Sequence, residues 1–277
     1  MDFIKYNLEE IITLAILASV LFLFYYVAKS KKRRRKVGFY FNFIMYKLGI
    51  INRMSKTYIG MSHVKECYEP LVDLVAHPKI LYNEATIERP VLLRKSVADK
   101  LYKIADKLPE DIYIKIYSAY RSRIRLEKIW KEEVEKIEKE NPGMQRGEIL
   151  SLAKFKVTPP NTNMGGHDTG AAIDLALCDK NGNDLDYGTR YHENAQAKST
   201  VVLNSEQKQN RKYLLKLMKS QRFIKQPSQW WHYSYGDRYW AVYRGKRHGA
   251  IYGAAEKEFE NTGYQRVIKT NISSINK

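Results

Sequence analysis

The stretch Gly165-Gly166-His167-Asp168-Thr169-Gly170-Ala171-Ala172-Ile173-Asp174-Leu175-Ala176-Leu177 decides how this chain is read. Ile173, Leu175 and Leu177 alternate with Ala172, Asp174 and Ala176. That is the period of a strand with one apolar face, and it sends Asp174 off the opposite face. Gly165, Gly166 and Gly170 make the approach a tight loop with little side-chain bulk beside His167. Far downstream, Ser228-Gln229-Trp230-Trp231-His232-Tyr233 adds a second imidazole on an aromatic-rich strand predicted over 230–235. Gln229 and His232 stand three apart, so a regular strand directs them to opposite faces. For both to reach one site, Gln229 has to lie in a bend or bulge before the strand. His167, Asp174 and His232 form an N,N,O donor set suited to Zn²⁺. Three protein ligands leave a fourth position for water, the arrangement of a hydrolytic metal site rather than a closed structural one.

The pattern His167-x-x-Gly170-x-Ala172-x-Asp174 followed by Trp230-Trp231-His232 resembles the M15 zinc peptidases, specifically the D-alanyl-D-alanine dipeptidases of the vancomycin-resistance type. The run from Gln229 to Ala241 is similar to that family's last motif, and Ser118-Ala119-Tyr120-Arg121-Ser122 to an upstream one. The resemblance covers roughly Glu69 to Tyr252. It implies one zinc per chain held by His167, Asp174 and His232, on a small antiparallel sheet with helices packed around it. It assigns Arg121 to stabilising the tetrahedral intermediate and position 229 to a glutamate acting as general base. Here that position is Gln229. An amide is nearly isosteric with a carboxylate and hydrogen-bonds a water, but it has no basic site at neutral pH. Two other departures touch substrate binding. Gly165 stands where the family usually has Ser. His192 follows Gly188-Thr189-Arg190-Tyr191 where the family has an Asp for the dipeptide's amino group; Glu193 takes that role only after a one-residue shift.

The remaining sequence supplies context. The chain has 277 residues, with 48 Lys and Arg against 30 Asp and Glu, for a formal charge of +18. Many basic residues lie in the single run Lys31–Lys36 and the others are interspersed with acids, which argues against nucleic acid as a partner. Cys67 and Cys178 show no metal-ligand spacing and imply no disulfide framework. Ile11 to Ala28 is an uninterrupted apolar run, read as one N-terminal transmembrane helix and the chain's membrane contact. Asp2, Glu9 and Glu10 before it and the basic run after it do not suit a cleaved signal peptide. The resulting organisation is a short tail (1–10), the membrane helix (11–28), a basic juxtamembrane segment and linker (29–65) and the zinc peptidase domain (66–277). Positive charge stays cytoplasmic, which places the domain on the cytoplasmic side; export to the periplasm or cell surface is the alternative. The basic run also suits anionic headgroups. Residues 37–51, apolar and aromatic, fit either a helix along the membrane surface or one packed on the domain.

Within the domain the spacing predicts helices over 91–108, 126–141 and 149–157 and from 213 onward, with a strand over 112–117 that delivers Tyr120 and Arg121. Without a βαβ rhythm, this mixture gives an α+β fold. Three functions follow: a zinc D-Ala-D-Ala dipeptidase weakened at Gln229, a pseudo-peptidase that binds zinc and a D-Ala-D-Ala-like ligand or protein partner, and a peptidoglycan D,D-peptidase. The sequence is silent on oligomeric state.

Overall fold

A computed structural model describes residues 2–87, 89–157, 159–160, 166–193, 202–246 and 249–255. The chain forms two compact units, 1–55 and 56–277. The first holds α1 (Asp2–Ala28) and α2 (Lys31–Lys47), bent by 110° between Thr13–Ala28 and Lys31–Lys47. Among the described residues no single helix is long and apolar enough to cross a membrane, although this bent pair passes such a test together. The expected single span over 11–28 is therefore not established.

In the second unit the order is α3 (Lys56–Gly60), β1 (Leu71–Asp73), β2 (Ile80–Tyr82), β3 (Leu92–Arg94), α4 (Lys95–Ala105), β4 (Tyr113–Ser118), α5 (Arg123–Glu140), α6 (Arg146–Lys156), β5 (Ala172–Cys178), α7 (Ser205–Ser220), β6 (Ile224–Lys225), β7 (His232–Ser234) and α8 (Arg238–Tyr243). The architecture is α+β, as expected, but the sheet is not purely antiparallel. Its order is β2-β4-β5-β7-β6, and β2 runs parallel to β4. The intervening β3 and α4 give the chain the long crossover that a parallel pair requires. The helix expected over 91–108 yields its first turn to β3, because Leu92–Arg94 pair antiparallel with β1. α7 begins at Ser205, eight residues earlier than the apolar spacing suggested. Asn204 and Gln207 form a reciprocal capping box there, each side chain accepting the other's backbone N–H.

β5 is the centre of the sheet and is buried along its whole length. Ile173, Leu175 and Leu177 join Val97 and Leu101 of α4 and Leu214 of α7 in the main core. The face carrying Ala172, Asp174 and Ala176 is covered as well. α5 and α6 close a separate small core of Val134, Ile137, Ile149 and Ala153. The outer face of α5 carries Lys128–Glu132, Lys131–Glu135 and Lys136–Glu140 pairs four residues apart, the solvated helix that its charge density implied.

A 3₁₀ turn, His167–Thr169, leads into β5 and ends at Gly170, whose φ is +68°. The Gly170 carbonyl accepts the Arg94 amide at 2.8 Å. A Cβ at 170 would collide with the Leu71 side chain and lie 3.4 Å from the Arg94 nitrogen. Gly170→Ala therefore combines a left-handed backbone with overpacking. It is expected to destabilise the fold by about 3 kcal/mol, read as a lower urea midpoint at unchanged slope.

Candidate active site

Three neighbouring strands place a row of polar side chains across the sheet. Register sets Ser118 of β4 opposite Asp174 of β5, and Asp174 opposite His232 of β7. The Leu175 amide bonds the Trp231 carbonyl and the Tyr235 amide bonds the Ala171 carbonyl. The Asp174–His232 pair therefore falls between hydrogen-bonded rungs, where facing side chains come closest. An irregularity in β4 between Ile116 and Ser118 brings Ser118 into the row. Ala172, Ala176 and Ser234 are small, buried neighbours on that face. His167 arrives from the turn before β5.

Asp174 is buried and surrounded by donors. His232 Nδ1 lies 2.9 Å from its Oδ1. Around Oδ2 gather His167 Nε2 at 3.3 Å, the Tyr191 hydroxyl at 3.0 Å and Arg121 Nη2 at 3.5 Å. Burial alone raises the Asp174 carboxyl, but the charge and hydrogen bonds of His167 and the hydrogen bond of His232 overcome it and hold the group well below the usual carboxylate range. Burial lowers His167, and the nearby Arg121 adds to that against the pull of Asp174.

His167 Nδ1 lies 2.6 Å from the Ala119 carbonyl, which only accepts, so Nδ1 carries the proton. Nε2 then faces Asp174 Oδ2 at 3.3 Å, and this buried pair holds either a proton or a metal cation between its atoms. The donor atoms of His167, Asp174 and His232 lie within 4.8 Å of one another. The backing is also in place: Ala119 orients His167, while Ser234 Oγ stands 3.5 Å from His232 Nε2. Behind Ser234, Asp237 is fully buried and pushed up to about 6 by that burial, while bonds from the Trp240 amide and Ser234 pull it back. The residues present therefore fit a divalent metal.

The other expected residues divide. Arg121 reaches the site: its Nε donates to Ser118 Oγ at 2.8 Å and its backbone amide to the His167 carbonyl at 3.1 Å. Gln229 lies outside β7, in a turn where its amide donates to the Gln226 carbonyl at 3.2 Å. That is the bend its spacing from His232 required. His192 is at the rim with φ +69°, its ring stacked on Trp231 at 6.2 Å and burial lowering its pKa. Glu193, the candidate after a one-residue shift, lies next to His192 in the same loop. Its carboxylate accepts the Arg190 amide at 2.9 Å and closes its own loop. Gly165 lies outside the described residues.

The sequence reading missed Tyr191. Its ring stacks on Tyr117 at 4.2 Å and meets Trp231 edge-on at 5.4 Å, which aims the hydroxyl at Asp174. Burial first, and then the Asp174 charge, raise its pKa, so it remains a phenol that donates. No local periodicity marks it; the signal was its place directly before His192.

Residues 83–248 match the peptidase M15 family, described as D-ala-D-ala dipeptidase. The chain belongs to the M15 peptidases. A D-alanyl-D-alanine dipeptidase of Synechocystis sp. is 38% identical over 119 residues, 36% of this chain and 46% of that protein. The match thus spans about half the length of that curated relative. Two solved structures are more distant. One is a point mutant of the vancomycin-resistance D,D-pentapeptidase VanY of a VanB-type cassette, in complex with Zn(II). It has 15% identity and a TM-score of 0.39, over 57% of this chain and 83% of that one. The other is VanYB in complex with D-alanine-D-alanine, with 14% identity and a TM-score of 0.41, over 73% of this chain and 93% of that one.

Tyr191 gives this M15 site a test that needs no substrate. Tyr191→Phe keeps the stack on Tyr117 and removes one hydrogen bond to a buried carboxylate. The expected cost is about 1.5–3 kcal/mol of metal-free stability. In an Asp174→Asn background the same change is expected to cost less, and a double-mutant cycle by chemical denaturation measures the difference.

Proposed function

We propose that this chain is a zinc-dependent peptidase acting on D-Ala-D-Ala-type peptide bonds, with turnover limited by Gln229. The observation that carries the reading is the buried His167–Asp174–His232 set with Arg121 against the same carboxylate, in a chain of the M15 family. The substrate class rests on the names of its relatives: a D-alanyl-D-alanine dipeptidase, and a structure bound to D-alanine-D-alanine. The VanY structure with Zn(II) supports zinc as the metal.

His167, Asp174 and His232 would hold one zinc per chain. Bound there, zinc supplies Lewis acidity toward a scissile carbonyl and lowers the pKa of a water toward neutrality. The remaining work belongs to the chain. Arg121, fixed by Ser118 and by its own backbone bond, offers a preorganised cation to negative charge developing on the carbonyl oxygen. The Tyr191 phenol, beside it, keeps its single O–H on Asp174 and holds that carboxylate in place. Gln229 hydrogen-bonds a water or a leaving amine through its amide but cannot carry a proton between them. Loss of a positioned general base costs about 10²–10⁴-fold in rate.

A second reading, a D,D-peptidase acting on longer peptides, is favoured by the rim. His192 occupies the position that the family resemblance gives to the ammonium-binding Asp, and the Glu193 carboxylate is engaged with Arg190. Hydrolysis of free and N-acetylated D-Ala-D-Ala, measured side by side, separates the two: a preference for the acetylated peptide supports the second.

Two experiments test the proposal. Purified chain is expected to retain one zinc after dialysis and His232→Ala to retain none, by metal analysis. Equal zinc in both proteins would remove His232 from the ligand set. Gln229→Glu is expected to raise D-alanine release by at least about a hundredfold at matched zinc content. An ordinary enzyme rate in the unmodified chain would show that another base serves. Absence of hydrolysis in both proteins would leave a zinc-holding pseudo-peptidase that binds such ligands.

A further inference from the structure

The first unit carries a surface that the peptidase chemistry does not use. α2 opens with Lys31-Lys32-Arg33-Arg34-Arg35-Lys36 and continues through an aromatic segment. Val37, Tyr40, Phe41, Ile44 and Leu48 are all exposed, with Phe41 62% and Leu48 67% accessible. Their spacing of three and four is that of a single helix face. An exposed apolar stripe directly following six consecutive cations is the pattern of a helix lying at a lipid surface.

The corner between the helices gives that stripe a direction. α1 exposes apolar side chains from Leu14 through Phe24 and ends in Tyr25 and Tyr26, an aromatic pair suited to the headgroup level. The Arg33 guanidinium lies 3.6 Å above the Tyr26 ring, and Arg34 donates to the Ala28 carbonyl. Both contacts bridge the break at Lys29–Ser30 and hold the bend of 110°. If α1 enters a bilayer along its normal, α2 turns nearly into the plane of the surface. The cations then sit at headgroup depth and the stripe runs along the acyl boundary.

We propose that α2 is an interfacial helix that binds the surface of an anionic bilayer. The basic run contributes attraction to acidic headgroups and the Val37–Leu48 stripe contributes apolar burial. Charge complementarity selects this occupant. A second copy of the chain would bring the same six cations against each other, and nucleic acid would leave the apolar stripe uncovered. The inference does not depend on the peptidase reading.

The test uses the full chain reconstituted in vesicles, with Cys67→Ser removing the exposed thiol and a single new cysteine carrying an environment-sensitive fluorophore. The labelled positions are Phe41→Cys and Ile44→Cys on the stripe, with Ile124→Cys on α5 as the solvent control. In vesicles containing phosphatidylglycerol, the probes at 41 and 44 are expected to shift to the blue and to be quenched by spin-labelled lipid rather than by iodide. The probe at 124 is expected to show the reverse. Changing Lys31, Lys32, Arg35 and Lys36 to Gln leaves Arg33 on Tyr26 and Arg34 on the Ala28 carbonyl. It is expected to move the surface equilibrium of the probe at 41 toward water by more than about tenfold, since each cation near an anionic surface contributes about 1 kcal/mol. Vesicles of phosphatidylcholine alone are expected to do the same to the unmodified basic run. Iodide-accessible probes at 41 and 44 in anionic vesicles would overturn the proposal, as would a depth unchanged by removing the charges or the acidic lipid. Protection already complete in detergent would identify a protein surface as the cover and overturn it equally.

Discussion

A carboxylate buried in the middle of a sheet is the constraint on which the second unit turns. An isolated charge at the depth of Asp174 is costly, and a protein tolerates it only with charge-complementary or hydrogen-bonding partners on several sides. Those partners come from four places in the chain: His232 from the adjacent strand, His167 from the turn before β5, Arg121 from just beyond β4, and Tyr191 from the loop after β5. None is a sequence neighbour of Asp174. The β4–β5–β7 register and the left-handed turn at Gly170 are what bring them to one carboxylate. The same demand explains why the site fits a metal. With Nδ1 of His167 committed to Ala119, Nε2 is the atom turned to Asp174, and a proton or a metal ion fills the space between them.

Much of this was legible where chemistry and period coincide. Alternation placed β5 and put Asp174 on the face away from Ile173 and Leu175. The three-residue offset of Gln229 from His232 required a bend, and the structure has one. What stayed hidden depended on the tertiary neighbours of each segment. Alternation says nothing about whether the second face of β5 is covered, and here it is. Leu92–Arg94 reads as helix until β1 is beside it. The parallel pairing of β2 was invisible because three residues carry no directional signal. Tyr191 owes its aim to stacking on Tyr117, which lies far away in sequence. The N-terminal reading differs in kind: composition alone suggested a span, and the bend of 110° at Lys29–Ser30, which composition does not signal, sets the basic helix at an angle to it.

The placement of Gln229 separates two properties that an active site usually presents together. The residues that would hold the metal, together with the Ser118 that steadies Arg121, sit on sheet rungs or on the turn feeding them. Their geometry is fixed by register, and a change there leaves a buried charge without its partner. Position 229 is in a turn outside β7, half-buried, with its backbone held by Gln226. Exchanging an acid for an amide there alters no strand pairing and removes no partner from Asp174. The ligand set and its electrostatic frame are therefore independent of which side chain stands at 229, because register and burial fix the first and leave the second free to vary.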